Sequence, residues 1–405
     1  MKIAIIGAGA AGLMAAGRLI ELGASVSVFE KSKYTARKLG ITGKGRCNLT
    51  NNCDLQTTLA NIPTNPRFMY SALSNFSCED VIALFESLGV PLKTERANRV
   101  FPVSDKARDV VFALNRYAKG ARIIFSAVKK ISHENGKFAV YTDRAEYFDK
   151  VLICTGGKSY PLTGSTGDGY VFAKELGHTI VEPRASLVPL EIKENYCKQM
   201  QGISLKNVSV SAYQSQKKIF EDFGEMMFTH FGVTGPIILS LSAHLPKIEP
   251  DKYRISIDLK PALDNQTLDS RLQREFSAAP NKAISNIMGT LLPSGMIQTF
   301  LKLAGIPADK KANSITKAER TEIIRYLKDL PLTVTRARPI EEAIITSGGV
   351  SVKEIDPKTM QSKIVKGLYF AGEVIDVDAY TGGFNLQIAW STARLAADSI
   401  FYDSE

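Results

Sequence analysis

Three glycines near the amino terminus, Gly7, Gly9 and Gly12, follow the spacing GxGxxG, which is typical of chains that bind the pyrophosphate of a dinucleotide. The first glycine permits a tight turn, the second lets the phosphates approach the backbone, and the third lets a helix pack closely on a strand. Glu30 lies 23 positions after Gly7, where a carboxylate can accept hydrogen bonds from both hydroxyls of an adenosine ribose. Because an acid at this position repels a 2′-phosphate, the pattern predicts FAD or NAD rather than NADP.

The elements around these glycines support the same interpretation. Residues 3–6 are apolar and predict a short buried strand. A helix is expected to begin at Ala10 and Ala11, with its free N–H groups directed at the phosphates. Residues 25–29 predict a second strand, so that one βαβ unit closes within about thirty residues. The alternative, a glycine-tolerant turn in an ordinary α/β sheet, explains the glycines but not the acid at the right distance.

The composition is that of an ordinary globular protein, with 44% hydrophobic and 23% charged residues. A chain of 405 residues is longer than one core usually serves, which predicts two or three domains. No apolar run approaches the roughly 20 residues that span a bilayer, and we expect a cytoplasmic protein without a membrane partner. The five cysteines include no CxxC pair and are interpreted as free thiols. No metal-ligand spacing is present, so no metal site is predicted.

The net charge of +10 is concentrated just after the nucleotide-binding unit. A phosphate-bearing cofactor or substrate is the nearest explanation, and a nucleic-acid surface is the more distant one. A smaller basic excess at 265–330 is typical of a solvated helical face, with an RNA site as the alternative. Residues 31–50 contain no acid and six basic residues: Lys31, Lys33, Arg37, Lys38, Lys44 and Arg46.

The order of patterns along the chain predicts an α/β fold with an insertion. Residues 1–186 are expected to form the first part of a nucleotide-binding domain, in which a strand at 150–155 runs into Gly156 and Gly157. Alternating segments then predict an inserted β-rich domain over 187–263, and residues 264–340 predict an inserted helical region. Residues 341–405 return to the first domain and complete its site.

Several motifs follow one another from one end of the chain to the other. They are GAGAAG at 7–12 with Glu30, RK at 37–38, GKGRCNLTN at 43–51, CTGGKSYPLTGSTGDGY at 154–170, EMMFTHFGVTGP at 225–236, TSGGV at 346–350 and YFAGEVIDVDAYTGGFNLQIAWSTARLA at 369–396. Only the first is generic. With these motifs the chain resembles flavoproteins of the glutathione-reductase type, and more specifically the aminoacetone-oxidase-type family of bacterial NAD(P)/FAD-dependent oxidoreductases.

The resemblance implies an FAD-binding Rossmann-like domain with an inserted β-barrel-like part and a helical part. It places Glu373 at the ribityl-phosphate arm of FAD and residues 383–386 at the pyrimidine end of the ring. Lys44 departs from related proteins, which often have glycine or serine there. Together with Val128, expected at an adenine pocket, the candidate cofactor residues are Gly7, Gly9, Ala10, Ala11, Gly12, Glu30, Lys31, Arg37, Lys38, Gly45, Arg46, Cys47, Asn48, Val128, Thr155, Gly156, Gly157, Gly372, Glu373, Gly383, Phe384, Asn385 and Leu386.

Three side chains are candidates for substrate chemistry. Tyr160 and Tyr380 flank glycine-rich cofactor segments and could donate a proton or hold a carbonyl, although a tyrosine packed over a loop is the simpler interpretation. His230 lies inside a family motif, where a structural histidine is the alternative to a catalytic one. Cys47 lies in the basic segment, where a lowered thiol pKa is reasonable, but we interpret it as a packing residue near FAD.

The resemblance implies an FAD-dependent oxidoreductase, and two kinds of reaction and one role without turnover are considered for it. The first is NAD(P)H-driven reduction of a C=C conjugated with a carbonyl, in a small enone or in a uracil ring of rRNA. The alternatives are oxidation of a small amine or amino-ketone and a flavin-loaded redox-sensing or binding protein. No second GxGxxG follows a strand, so NADH or NADPH would act as a transient donor. The sequence leaves the oligomeric state open.

Overall fold

The computed structural model describes residues 1–245 and 247–403. The chain forms two compact units, one containing residues 1–186 together with the chain from 340 onward, and one containing residues 187–339. Within the described residues, no helix is both long and apolar enough to cross a membrane.

The amino-terminal part of the first unit begins with a buried strand and a helix that covers it. Ile3, Ala4 and Ile5 are fully buried, and burying each isoleucine side chain contributes roughly 2 kcal/mol. The elements of this part are β1 (Lys2–Ile6), α1 (Ala10–Glu21), β2 (Ser25–Glu30), α2 (Arg37–Ile41), β3 (Thr50–Asn51), α3 (Leu55–Ala60), α4 (Tyr70–Asn75), α5 (Cys78–Ser87), β4 (Leu92–Glu95), β5 (Arg99–Pro102), α6 (Ala107–Tyr117), β6 (Arg122–Phe125), β7 (Lys130–Glu134), β8 (Lys137–Tyr141), β9 (Ala145–Phe148), β10 (Lys150–Ile153), α7 (Asp168–Glu175) and β11 (Ile180–Ser186).

The second unit has a closed barrel and a group of helices around its own core. Alternate residues of one barrel strand, Tyr253, Ile255 and Ile257, point inward and are buried, as a half-exposed strand requires. Its elements are β12 (Leu190–Ile192), α8 (Tyr196–Gln199), β13 (Ser204–Gln214), β14 (Lys217–Phe228), β15 (Gly232–Thr234), α9 (Pro236–Ala243), β16 (Tyr253–Asp258), α10 (Asn265–Ala278), α11 (Ile284–Met288), α12 (Ser294–Leu303), α13 (Lys317–Lys328) and β17 (Leu330–Ala337).

The carboxyl-terminal part returns to the first unit and supplies its central helix. Trp390 in this helix is fully buried and donates its ring N–H to the carbonyl oxygen of Leu49 at 2.9 Å. The elements are β18 (Ile345–Val350), β19 (Leu368–Phe370) and α14 (Phe384–Tyr402).

A parallel sheet organises the first unit. Its strand order is β19-β10-β1-β2-β6, and β1 lies between β10 and β2 in parallel register, with Ile3 opposite both Lys150 and Val26. Helices α1 and α14 pack against each other. Because β19 and α14 come from the end of the chain, the sheet and its covering layer are complete only when both ends of the sequence are present.

Smaller antiparallel groups flank this sheet. Strands β7, β8 and β9 form one sheet, β3, β5 and β4 form another, and β11 pairs with β18. The consecutive strands β6 to β9 are therefore divided between two sheets, since β6 joins the parallel sheet and only the following three strands form a meander. The difference reflects strand direction, which apolar patterning does not encode.

The barrel has the order β12-β15-β14-β13-β16-β17. Its last strand, β17, follows the helices and pairs with both β16 and β12. Residues 264–340 are therefore not helical throughout, because Leu330–Ala337 returns to the barrel. The predicted fold class, a Rossmann-like α/β domain with a barrel and helices, is confirmed.

Candidate functional site

A cleft with about 1250 Å³ of empty space lies at the carboxyl ends of β1, β2, β10 and β19. This is the edge at which open α/β sheets bind ligands. The predicted cofactor residues that line the cleft are Gly7, Gly9, Ala10, Ala11, Glu30, Lys31, Arg37, Lys38, Val128, Thr155, Gly156, Gly372, Glu373, Asn385 and Leu386. The fold thus brings residues from the beginning, middle and end of the chain to one surface.

The glycine turn combines close packing with open space. A Cβ on Gly12 would lie 1.9 Å from the carbonyl oxygen of Gly7, and a Cβ on Gly7 would lie 2.6 Å from the carbonyl oxygen of Cys154. Gly7 also has φ +104°, a conformation that favours glycine. A Cβ on Gly9 would meet nothing within 4 Å. Gly7 and Gly12 therefore serve packing, whereas Gly9 faces the open cleft.

Glu30 holds the turn that it faces. One carboxylate oxygen accepts the N–H of Ala8 at 3.0 Å, and the other accepts the N–H of Ser32 at 2.8 Å. Charge-assisted bonds of this kind fix a carboxylate more firmly than neutral ones. The side chain is consequently held at the end of β2, with its remaining lone pairs available to a ligand in the cleft.

Lys38 and Glu373 form a half-buried ion pair at the cleft. Lys38 Nζ lies 2.7 Å from Glu373 Oε2 and also donates to Ser159 Oγ at 2.6 Å. Glu373 Oε1 accepts from Ser159 Oγ and from the N–H of Thr346, each at 2.9 Å. The network connects α2, the loop after β10, β18 and the turn after β19, so a change at one member is felt by all four segments.

The start of α14 is fixed from both sides. Asn385 Oδ1 accepts the N–H of Ala379 at 2.9 Å, and its Nδ2 donates to the Ala379 carbonyl oxygen at 2.7 Å. A Cβ on Gly383 would lie 2.4 Å from the Thr50 carbonyl oxygen, and Phe384 is buried. Gly383 and Phe384 therefore pack the helix start, while Asn385 and Leu386 in its first turn line the cleft.

Other predicted cofactor residues lie outside the cleft lining. Arg46 donates to Glu95 and Asp105, at 2.5 Å in each case, and its guanidinium lies 4.2 Å from the Phe101 ring centroid. A Cβ on Gly157 would lie 2.8 Å from Glu373 Oε1, so this glycine makes room for the ion-pair network. The predicted cofactor residues that do not line the cleft are Gly12, Gly45, Arg46, Cys47, Asn48, Gly157, Gly383 and Phe384.

Cys47 differs from one sequence expectation. It is fully buried, and burial raises the pKa of its thiol to about 12. A lowered thiol pKa was reasonable for a basic segment, but the neighbouring Arg46 is directed to Glu95 and Asp105 instead. Cys47 is therefore a buried neutral thiol.

The three candidate catalytic residues do not line the cleft. Tyr160 is a half-buried residue in a left-handed conformation, with φ 53°. Burial and the charge of Asp378 raise the pKa of the Tyr380 phenol, which belongs to the same unit. His230 belongs to the second unit, where it is exposed and packs edge-on against Phe231, with ring centroids 5.0 Å apart.

The basic cluster at 31–50 is partly neutralised by acids from elsewhere in the chain. Lys31, Lys38 and Arg46 pair with Asp168, Glu373 and Glu95. Among the described residues no carboxylate lies within ion-pair distance of the remaining members, which are Lys33, Arg37 and Lys44. Of these three, only Arg37 lines the cleft.

Sequence reasoning missed several lining residues. Tyr34 is 73% exposed yet lines the cleft beside the basic segment, and Asp168 lines it as the partner of Lys31. Ser126 directly follows β6, and Thr163 ends a short 3₁₀ helix at Pro161–Thr163. Ile344, which also lines the cleft, lies just before β18, a strand that pairs with β11.

The cleft fits a dinucleotide on three observations. Thr155 Oγ1, on its wall, is buried and has no hydrogen-bond partner in the part of the chain that the structure describes. The space at Gly9 is open. Helices α1 and α14 both present first turns to the cleft that no described side chain caps, and such turns favour anions. The fold and the site together define a Rossmann-type dinucleotide-binding protein.

The chain belongs to the HI0933-like protein Rossmann domain family, whose model matches residues 1–399. It is 33% identical over 407 aligned residues to the ribosomal RNA dihydrouridine synthase of Haemophilus influenzae, covering 98% of this chain and 97% of that protein. It is 29% identical over 405 aligned residues to the 3-dehydro-bile acid delta(4,6)-reductase of Clostridium scindens, covering 98% of each chain. The protein is an FAD-dependent oxidoreductase and a flavoprotein.

A solved structure supports the fold. The Sdh1 complex of Mycobacterium smegmatis in the apo form superposes with a TM-score of 0.51 and 16% identity, covering 99% of this chain and 68% of that chain. At this identity the likeness concerns the fold alone.

Proposed function

We propose that this protein reduces a C=C conjugated with a carbonyl, with NADH or NADPH as the transient electron donor. The observation that carries the proposal is that two relatives, each aligned over 98% of this chain, are named for such products or reactions: a dihydrouridine synthase and a bile acid delta(4,6)-reductase. A substrate in rRNA would place the protein in the cytoplasm.

The cleft residues would hold FAD along its length. Glu30 would accept the ribose hydroxyls, the first turn of α1 at Gly9 would meet the pyrophosphate, and Asn385 and Leu386 would lie toward the ring. When bound, FAD supplies hydride transfer to the β-carbon of the double bond. The chain's own contribution is to position the cofactor and, through the amino-terminal end of α14, to favour negative charge at that end of the cleft.

The substrate is either a small enone or a uracil ring of rRNA. The relative named for ribosomal RNA favours the second, and the relative named for a bile acid favours the first. The basic cluster adds little to the RNA case, because three of its six cations are paired with carboxylates. An RNA substrate requires binding that weakens steeply with salt, since each neutralised phosphate releases counterions.

Anaerobic stopped-flow spectroscopy tests the proposal. The FAD-loaded protein is mixed with NADH, NADPH or a small amino-ketone while the visible flavin absorption is followed, and the reduced protein is then mixed with an enone, an unmodified rRNA fragment or air. We expect rapid bleaching by a nicotinamide and recolouring by the enone or the RNA faster than by air.

Two other results would contradict the reductase. Bleaching by the amino-ketone and not by either nicotinamide would establish the oxidase expected of an aminoacetone-oxidase-type protein. Slow bleaching by every donor, without an acceptor that restores colour, would indicate a flavin-loaded sensor. A preparation of FAD-free protein is the control for absorption changes that do not involve the cofactor.

A further inference from the structure

Cys53 and Cys78 approach the same hydroxyl group in the first unit. Cys53 Sγ lies 3.3 Å from Thr58 Oγ1, and Cys78 Sγ lies 3.5 Å from the same oxygen. Cys53 follows β3, whereas Cys78 is the first residue of α5. The two thiols, distant in sequence, are therefore neighbours in the fold.

The surroundings of Cys78 favour a thiolate. It begins a helix of ten residues, whose amino-terminal end carries partial positive charge. Hydrogen bonding, first of all from Cys53, lowers the pKa of the Cys78 thiol despite its burial, and the N–H of Asn51 is a further donor. The same interaction raises the pKa of Cys53.

Access to the pair is through Cys53. Cys78 is 3% exposed, whereas Cys53 is only half-buried. A reactive cysteine is often placed next to a second, resolving thiol, and the member of this pair that solvent reaches is Cys53.

We propose that Cys53 and Cys78 form a reversible disulfide when the protein meets a hydroperoxide. The Cys78 thiolate attacks the peroxide oxygen, the O–O bond breaks, and Cys78 becomes a sulfenic acid as the leaving oxygen takes up a proton. The Cys53 sulfur then attacks the Cys78 sulfur, and its proton leaves with the hydroxyl as water. Overall, two thiols lose two electrons and two protons, and hydrogen peroxide is reduced to two waters.

The disulfide would act on the cofactor cleft through β3. Asn51 Nδ2 donates to the Gly382 carbonyl oxygen at 3.1 Å, and Thr50 Oγ1 donates to Gln387 Oε1 at 2.6 Å. These contacts join the strand beside Cys53 to the start of α14. Drawing the two sulfurs to about 2.05 Å shifts this strand, and we infer that FAD dissociates faster from the oxidised protein.

The test uses the FAD-loaded protein treated with hydrogen peroxide, then alkylated and digested. We expect free thiols to fall from five to three, a mass loss of roughly 2 Da from the disulfide, one linked peptide pair containing Cys53 and Cys78, and full reversal by dithiothreitol. The Cys197→Ser variant, which changes a buried thiol of the second unit, is the matched control and should still lose two thiols. Five remaining thiols, or a link to another cysteine, would overturn the proposal.

Two variants identify the order of events. In Cys53→Ser the sulfenic acid has no partner, so dimedone should label Cys78, whereas Cys78→Ser should remain unlabelled at Cys53. Equal labelling of both variants would contradict the assigned nucleophile.

The rate of FAD release is then compared between oxidised and dithiothreitol-restored wild type. Equal rates would refute the coupling to α14. None of these measurements depends on which substrate the enzyme reduces.

Discussion

Lys38 Nζ lies 2.7 Å from Glu373 Oε2, an ion pair that joins two residues 335 positions apart. Lys38 belongs to α2, and Glu373 follows β19, the edge strand of the parallel sheet. Both residues line the cleft. The pair therefore joins the two sequence segments that must meet before FAD can be held.

Replacing one member of this pair should cost more stability than replacing both. Lys38→Met leaves the half-buried carboxylate of Glu373 without its cation, and we expect the free energy of unfolding to fall by about 1–3 kcal/mol. The double variant Lys38→Met/Glu373→Gln removes the uncompensated charge and should recover part of that loss. Urea unfolding of the FAD-free proteins measures both. If the loss in the double variant equals the sum of the losses in Lys38→Met and Glu373→Gln, the ion pair contributes no coupling energy.

Gly9→Val should yield a folded protein without FAD. A Cβ at position 9 meets no other atom of the protein within 4 Å, and the backbone there, at φ −81°, suits any residue, so the variant should fold. The valine side chain, however, occupies the position expected for the pyrophosphate. The ratio of flavin to protein after purification, together with circular dichroism, gives the answer. Gly40→Val is the matched control, because a Cβ there also meets nothing within 4 Å and Gly40 does not line the cleft. A yellow, fully loaded Gly9→Val protein would contradict the site.

Arg37 and Arg46 should separate cofactor binding from stability. Arg37 is exposed, lines the cleft and has no carboxylate partner among the described residues, so Arg37→Gln should weaken FAD binding roughly fivefold with little change in melting temperature. Arg46→Gln leaves Glu95 and Asp105 with Lys93 as their remaining cation and removes the guanidinium from the Phe101 ring, and should lower the melting temperature while FAD affinity is retained. Flavin titration and thermal unfolding of both variants are the measurements. The reverse pattern would show that Arg46, and not Arg37, contributes to cofactor binding.

His178 should make the protein less stable in acid. Burial lowers the pKa of its imidazole below the ordinary value of 6.5, even though Glu354 Oε2 lies 3.3 Å away. The folded protein therefore holds the ring neutral, and the unfolded chain gains a proton first, so stability falls as pH drops below 6.5. The slope is at most about 1.4 kcal/mol per pH unit for one proton.

Denaturant unfolding of wild type and His178→Gln between about pH 8 and about pH 5 measures this term. The variant should show a shallower decline, and His230→Gln, which changes an exposed histidine, should match wild type. Equal slopes for all three proteins would exclude His178 as the source. The pKa of Glu354 is also lowered, so its protonation destabilises the folded protein as well. This loss of stability occurs at lower pH, because the ordinary pKa of the carboxyl is 4.5.

The parts of the fold that sequence predicts are those encoded locally. The first βαβ unit follows from one stretch in which apolar period, glycine spacing and Glu30 agree, and α9 follows from Pro236 at its first position. The partners of Arg46 could not be predicted in this way, since Glu95 and Asp105 are 49 and 59 positions distant. An unpaired cation and a paired one look alike in sequence. Likewise, β17 could not be predicted as a barrel strand, because helices α10 to α13 separate it in sequence from its barrel partners.

The division of the first unit between the two ends of the chain sets an order of folding during translation. The barrel and its helices are complete when residue 339 has left the ribosome, and every barrel strand then has its partners. At that moment β10 still lacks its neighbour β19, and the face of α1 that will pack on α14 is uncovered. The second unit can therefore fold first, while the nucleotide-binding unit waits for the segment from residue 340 onward. Nascent chains stalled before α14 should expose apolar surface to chaperones, and FAD can be captured only after β19 and α14 have been made.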